Sequence, residues 1–145
     1  MRNLPHADGM ITIKGTQVID GEKDAIELLT AGTYFIKDGS YFICYDESDA
    51  TGYGGSHTTL QYDPDRRQVT MTRKGATESE LIIEAGRRHQ CTYDTGYGNM
   101  ILGVSGNRID STLSETGGEI SFHYSLDVNT VLASENGVSI RVKLN

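Results

Sequence analysis

From Ile120 onward the chain alternates between apolar and polar residues. Ile120, Phe122, Tyr124, Leu126 and Val128 are separated by Ser121, His123, Ser125 and Asp127. Val138, Ile140, Val142 and Leu144 are separated by Ser139, Arg141 and Lys143. A period of two puts each apolar set on one face of a β-strand and each polar set on the other. Burying one such large side chain contributes about 1.5–3 kcal/mol before entropy costs. A slip of one residue would turn the whole set toward water, so the pattern selects the register as well as the strand.

The same reading predicts strands along most of the chain. The first is Met10–Ile19, ended by the polar turn DGEKD. The second is Ala25–Lys37, with a break or bulge at Gly32, and Asp38-Gly39 then makes a hairpin turn because Gly tolerates positive φ. SYFICYDES follows, then His57–Asp63, with Pro64 in the turn where its missing N–H costs no ladder bond. RQVTMTRKG, TESELIIEAG, RRHQCTYDT, NMILGVSG and NRIDSTLSE continue the series. The last hairpin joins EISFHYSLDV to GVSIRVKLN through NTVLASEN. ESELIIEAGR has helix-favouring Glu residues, but its place between two strand-like runs makes it a strand. Residues 1–9 read as a flexible lead-in and residues 10–145 as a single domain.

About eight to ten strands in 145 residues cannot lie as one sheet with a solvated face. The core closes on itself or packs against a second sheet. Closure also removes exposed edges, so the expected fold is an all-β, antiparallel barrel, with a two-sheet sandwich as the alternative. The punctuation agrees: 17 glycines and two prolines stand mostly between the apolar runs. Four residues, TGYG, occur twice, at Thr51–Gly54 and Thr95–Gly98. Neither copy joins a strand to a helix, so neither is a phosphate-binding turn. Both read as strand ends or bulges, with Tyr53 and Tyr97 as anchors. They become ligand-gate candidates if they share one barrel mouth.

The formal charge of −7 disfavours a nucleic-acid or anionic-membrane partner. The eight tyrosines are spread through the strands and form no ladder beside a basic stripe. No run of 18 apolar residues and no apolar signal core is present, and a cytoplasmic location is expected. Cys44 and Cys91 fall within strands and read as free, mostly buried thiols. The four histidines lack the spacing of a zinc site, and no metal or other cofactor is expected.

With these elements in order, GTYFIKDGSYFICYDE, VTMTRKG, YDTGYGNMILGV and the terminal ISFHYSLDV…GVSIRVKL resemble the uncharacterised YwiB-like family. The resemblance runs from about Ile11 to Val142. It implies a calycin-like β-barrel, a shape shared with small-ligand carriers, and it carries no reaction or ligand.

Candidate chemistry comes from parity. Val69, Met71 and Arg73 share a face, so an inward Val69 puts Arg73 inside the barrel or at its mouth. A buried guanidinium needs a partner. Glu47, on the face of Tyr41, Ile43 and Tyr45, is the expected one. Arg73 can also clamp a ligand carboxylate through two parallel hydrogen bonds. A second face carries Arg87, His89, Cys91 and Tyr93, rich enough to line a polar cavity. No GxSxG elbow or paired nucleophile and base is present, and no catalytic residue is assigned. The leading expectation is a small acidic or amphipathic ligand held in the barrel by Glu47, Arg73, Arg87, His89 and Tyr93. The alternatives are an enzyme using Glu47, Arg73 and His89 around a bound water, and a structural or protein-interaction domain.

Overall fold

A computed structural model describes residues 3–48, 54–76, 78–94 and 98–145 and shows ten antiparallel strands, with no helix among these residues. They are β1 (Leu4–Ile19), β2 (Glu22–Lys37), β3 (Ser40–Asp46), β4 (Ser56–Asp63), β5 (Gln68–Gly75), β6 (Ser79–Glu84), β7 (Arg88–Asp94), β8 (Asn99–Ser111), β9 (Gly117–Val128) and β10 (Val131–Leu144). Each strand pairs with its neighbour in sequence, and β1 pairs with β10 to close the barrel. No helix among the described residues is long and apolar enough to cross a membrane.

The predicted parity sets the interior. Ile11, Tyr34, Ile43, Leu60, Val69, Ile83, Val104, Phe122 and Ile140 are all fully buried. SELIIE forms β6, with Leu81 and Ile83 buried and Glu80 exposed. Three expectations need correction. β2 runs through Gly32 without a register shift, the glycine giving room for the Ile11 side chain and the Cys44 carbonyl. The lead-in before Met10 carries the first residues of β1 from Leu4, because Leu4 and Ala7 pair with Ile36 and Tyr34 and a register shift between them takes up one extra residue on β1. VLASEN is strand rather than connection, because Asn129 and Thr130 both take positive φ and turn the chain in two residues.

One end of the barrel is solid. Tyr34, Tyr41 and Tyr62 stack across β2, β3 and β4 with ring centroids 6.5 and 6.1 Å apart. The Tyr34 hydroxyl donates to the Ser114 carbonyl at 2.7 Å, and burial pushes its pKa up. Leu113, from the β8–β9 connection, is buried at the same end.

The wall is uneven. β1 and β2 have 16 residues each, whereas β6 has six and β3 and β7 seven. β2 pairs with β3 only from Gly32 to Lys37, so β2 from Glu22 to Ala31 has β1 on one side and no described strand on the other. β6 and β7 share one registered pair, Ser79 with Tyr93. Side chains bridge the rest of that seam. The Ile82 amide donates to Cys91 Sγ at 3.4 Å, and His89 Nε2 lies 3.1 Å from Glu84 Oε1. Below the seam the end of β6 reaches β8 directly. The Gly86 amide donates to the Gly106 carbonyl at 3.0 Å, and the Gly106 amide to the Arg87 carbonyl at 3.0 Å. A Cβ on Gly106 would sit 2.6 Å from the Glu84 carbonyl carbon, so this approach requires glycine.

Candidate functional site

Strand register builds a row of mostly polar side chains at the other end. Tyr45 is opposite Thr58, Thr58 opposite Arg73, Arg73 opposite Ser79, Ser79 opposite Tyr93 and Tyr93 opposite Met100. These six positions run in one row across β3 to β8. All lie on the faces that also carry Ile43, Leu60, Met71, Leu81 and Cys91, which are buried.

Glu47 organises part of this row. Its side chain is 2% exposed and that of Arg73 13%. Glu47 Oε1 accepts from Thr58 Oγ1 at 2.5 Å and from Arg73 Nε at 3.4 Å. Its own amide donates to the Ser56 carbonyl at 2.9 Å. Burial, and next the neighbouring Glu47 carboxylate, push the Tyr45 phenol well above its ordinary pKa. Tyr45 is therefore a neutral hydroxyl here, not a nucleophile. The Ser79 hydroxyl is buried beside Arg73 and has no hydrogen-bond partner among the described residues.

At the level of the row lies a cavity of about 280 Å³. Arg73, Tyr93, Gln17 and Asn136 supply its polar lining, and Leu81, Leu102, Leu126, Val128 and Met100 supply apolar wall. A second depression of about 230 Å³ shares Gln17, Tyr124 and Asn136 with it and adds Gly15, Ile26 and Val138. The solid lower barrel and the hollow upper end therefore meet near the level of Arg73.

The sequence-derived candidates separate into three groups. Glu47 and Arg73 form the expected pair, and Arg73 and Tyr93 line one cavity. Arg87 does not join them: β7 begins after it, its side chain is 74% exposed, and its Nε lies 3.0 Å from Glu84 Oε2. The alternation of His89, Cys91 and Tyr93 does not extend back to Arg87, which follows the positive-φ turn at Gly86 and precedes the first residue of β7. His89 stands four residues along β7 from Tyr93, about 13 Å at strand rise, and is bonded to Glu84. That bond is the main cause holding the Glu84 carboxyl below its ordinary range. The expected grouping of Glu47, Arg73 and His89 around one water is not formed. Tyr53 and Tyr97 lie outside the described residues. Gly54 and Gly98, the described ends of their connections, stand at the end of the barrel that bears the cavity, since the β3–β4 and β7–β8 connections share that end.

Cys44 and Cys91 are free, and burial pushes the Cys91 thiol pKa up, away from thiolate reactivity. Among the described residues no group of three or more His, Cys, Asp or Glu side chains is placed to hold a metal. Sequence reasoning missed Thr58, Ser79, Gln17 and Asn136, because their place in the site depends on register between strands distant in the chain.

Residues 11–140 match the family described as "Domain of unknown function (DUF1934)". The chain belongs to the DUF1934 family. A relative is the "Uncharacterized beta-barrel protein YwiB" of Bacillus subtilis (strain 168), 28% identical over 120 residues that cover 81% of this chain and 82% of that protein. The crystal structure of ywiB protein from Bacillus subtilis superposes with a TM-score of 0.82 at 22% identity, over 97% of this chain and 93% of that one. The YwiB-like resemblance thus holds in sequence and in fold, and what these DUF1934 relatives share with this chain is the β-barrel.

Proposed function

We propose that the open end of the barrel holds a small amphipathic molecule, with its apolar body against Leu81, Leu102 and Leu126 and an acidic end toward Arg73. The observation that carries this reading is the cavity of about 280 Å³ with aliphatic walls and one guanidinium on its lining. That volume lies near the lower bound of ligand cavities, roughly 300–1,000 Å³, and suits a small ligand. An Arg that already leans on a carboxylate is oriented before a ligand arrives, which lowers the ordering cost of binding. The calycin-like shape expected from sequence supports the same use. In this reading the protein is a cytoplasmic carrier or sensor without nucleic-acid or membrane partners, consistent with its charge of −7. Acid–base catalysis has less support, because His89 is engaged with Glu84 away from the Glu47–Arg73 pair.

Native mass spectrometry of gently purified protein tests the reading. A retained small-molecule mass is expected, and Leu102→Trp, which fills the cavity, should abolish it. If the purified protein carries no adduct and a panel of medium-chain and aromatic carboxylates leaves its melting temperature unmoved, the carrier reading is wrong.

A further inference from the structure

The upper half of β2 is a sheet edge that the barrel does not close. Both hairpins flanking β2 turn through Asp-Gly with two positive φ values, 51° and 79° at Asp20-Gly21 and 53° and 83° at Asp38-Gly39. In such two-residue turns the flanking residues form a hydrogen-bonded pair. Glu22 therefore directs its amide and carbonyl toward β1, and Lys37 directs its own toward β3. The pairing of β2 with β1 from Ala7 to Ile19 and with β3 runs without a register shift, so the alternation carries through. Lys23, Ala25, Glu27 and Leu29 then present their backbone N–H and C=O groups to the open side. Among the described residues no protein group meets them there.

Long edges of this kind are templates for another strand, and proteins ordinarily blunt them with charged side chains, a bulge, a proline or a covering loop. Among the described residues no bulge, proline or covering loop interrupts Glu22 to Ala31, and the convex-side charges, Lys23 and Glu27, are of opposite sign. The edge is also apolar in part: Leu29 is 67% exposed and Ile26 37%. Ile26 faces the concave side, where a Cβ on Gly15 would touch it at 3.2 Å. Lys23, Ala25 and Glu27 therefore share the convex side.

We infer that a second copy of this chain pairs with that edge, antiparallel, about a two-fold axis through Ala25. A two-fold axis perpendicular to the sheet keeps convex residues opposite convex residues. With the axis at Ala25, Lys23 lies opposite Glu27 of the second copy, Ala25 opposite its own counterpart, and Glu27 opposite Lys23 of the second copy. Moving the axis to Glu27 places the two Glu27 carboxylates against each other. Moving it to Ile26 sets Lys23 against Leu29 and leaves the charges unmatched. The charge pattern on the convex side is thus self-complementary in the Ala25 register and not in those beside it. The dimer joins two barrels through one continuous sheet, beside and not inside the ligand cavity. Its contact is narrow compared with standard interfaces, so association is concentration-dependent.

Sedimentation of the full chain from micromolar to millimolar protein at low salt tests this with charge reversals. Wild type is expected to show a monomer–dimer equilibrium. K23E and E27K should each weaken it roughly tenfold or more, because each creates two like-charged cross-strand pairs. Mixing the two variants should restore a dimer, now heteromeric, since every facing pair is again opposite in charge. That restoration also shows that both variants are folded. Wild type remaining monomeric throughout, a dimer insensitive to K23E, or no association on mixing would each overturn the inference.

Discussion

Glu47→Gln preserves the shape of the mouth network and removes its negative charge. The carboxylate is almost wholly buried, and Arg73 Nε is 3.4 Å from it. At an effective dielectric constant near 20, unit charges at that distance attract by about 5 kcal/mol, against which stands the cost of desolvating both. Removing one partner leaves the other desolvated, and losses of about 3–5 kcal/mol are typical. The Gln amide oxygen can still accept from Thr58, so the lower end, about 3 kcal/mol, is expected for this variant. With a urea m-value of about 2 kcal/mol/M for a domain of this size, the unfolding midpoint falls by roughly 1.5 M. Arg73→Met alone should cost a comparable amount, since it strands Glu47. The double variant should lose much less than the sum, with a coupling of about 2 kcal/mol, because an apolar side chain then faces a neutral amide. Urea melts of the four proteins by far-UV circular dichroism complete the cycle. A Glu47→Gln change below about 0.5 kcal/mol, or single effects that simply add, would refute the reasoning.

Acid should weaken the barrel through three surface carboxylates held below their ordinary values: Asp127 chiefly by hydrogen bonding to Arg88, Glu84 by His89 and Glu119 by Ser139. A lowered folded-state pKa gives stability that is present above the ordinary values of 3.8 and 4.5 and is lost as pH falls through the folded ones. Melting temperature should therefore drop below about pH 4.5, and Asp127→Asn should flatten part of that decline; an unchanged acid limb would contradict it. Gly106→Ala should destabilise by about 2 kcal/mol or more, since its Cβ meets Glu84 backbone that has no room to yield. A urea midpoint equal to wild type would show that this approach is loose.

The sequence carried the local half of this structure. Alternation from Ile120 to Leu144 fixed which side chains face inward, and Asp38-Gly39 marked its hairpin. Parity with Val69 and Met71 was enough to send Arg73 inward, and parity with Ile43 and Tyr45 did the same for Glu47. The first is a within-strand inference and the second reaches one residue past the end of β3, and the two side chains meet as a pair at 3.4 Å. Arg87 failed because β7 begins only at Arg88, so strand parity does not reach it. His89 shares its face with Tyr93 but lies too far along β7 to reach Arg73. Thr58 and Ser79 are ordinary hydroxyl residues in sequence. Only the register of β4, β5, β6 and β7 sets them beside Arg73. The open edge of β2 was likewise hidden, because nothing in β2 itself says that β3 ends after Asp46.

The seam between β6 and β7 has a consequence for access. In a ring of strands, an interior molecule ordinarily leaves through an end, since parting any two strands breaks a full ladder. Among the described residues this wall holds one registered pair at the seam, a thiol under the Ile82 amide and an imidazole against Glu84. Leu81 and Tyr93, which flank the seam, also line the cavity. A sideways breathing motion there exposes the cavity wall while the β1–β10 closure and every other ladder remain intact. Exchange of the Ile82 amide with solvent deuterium reports that motion directly, and a small molecule held above Arg73 would slow it.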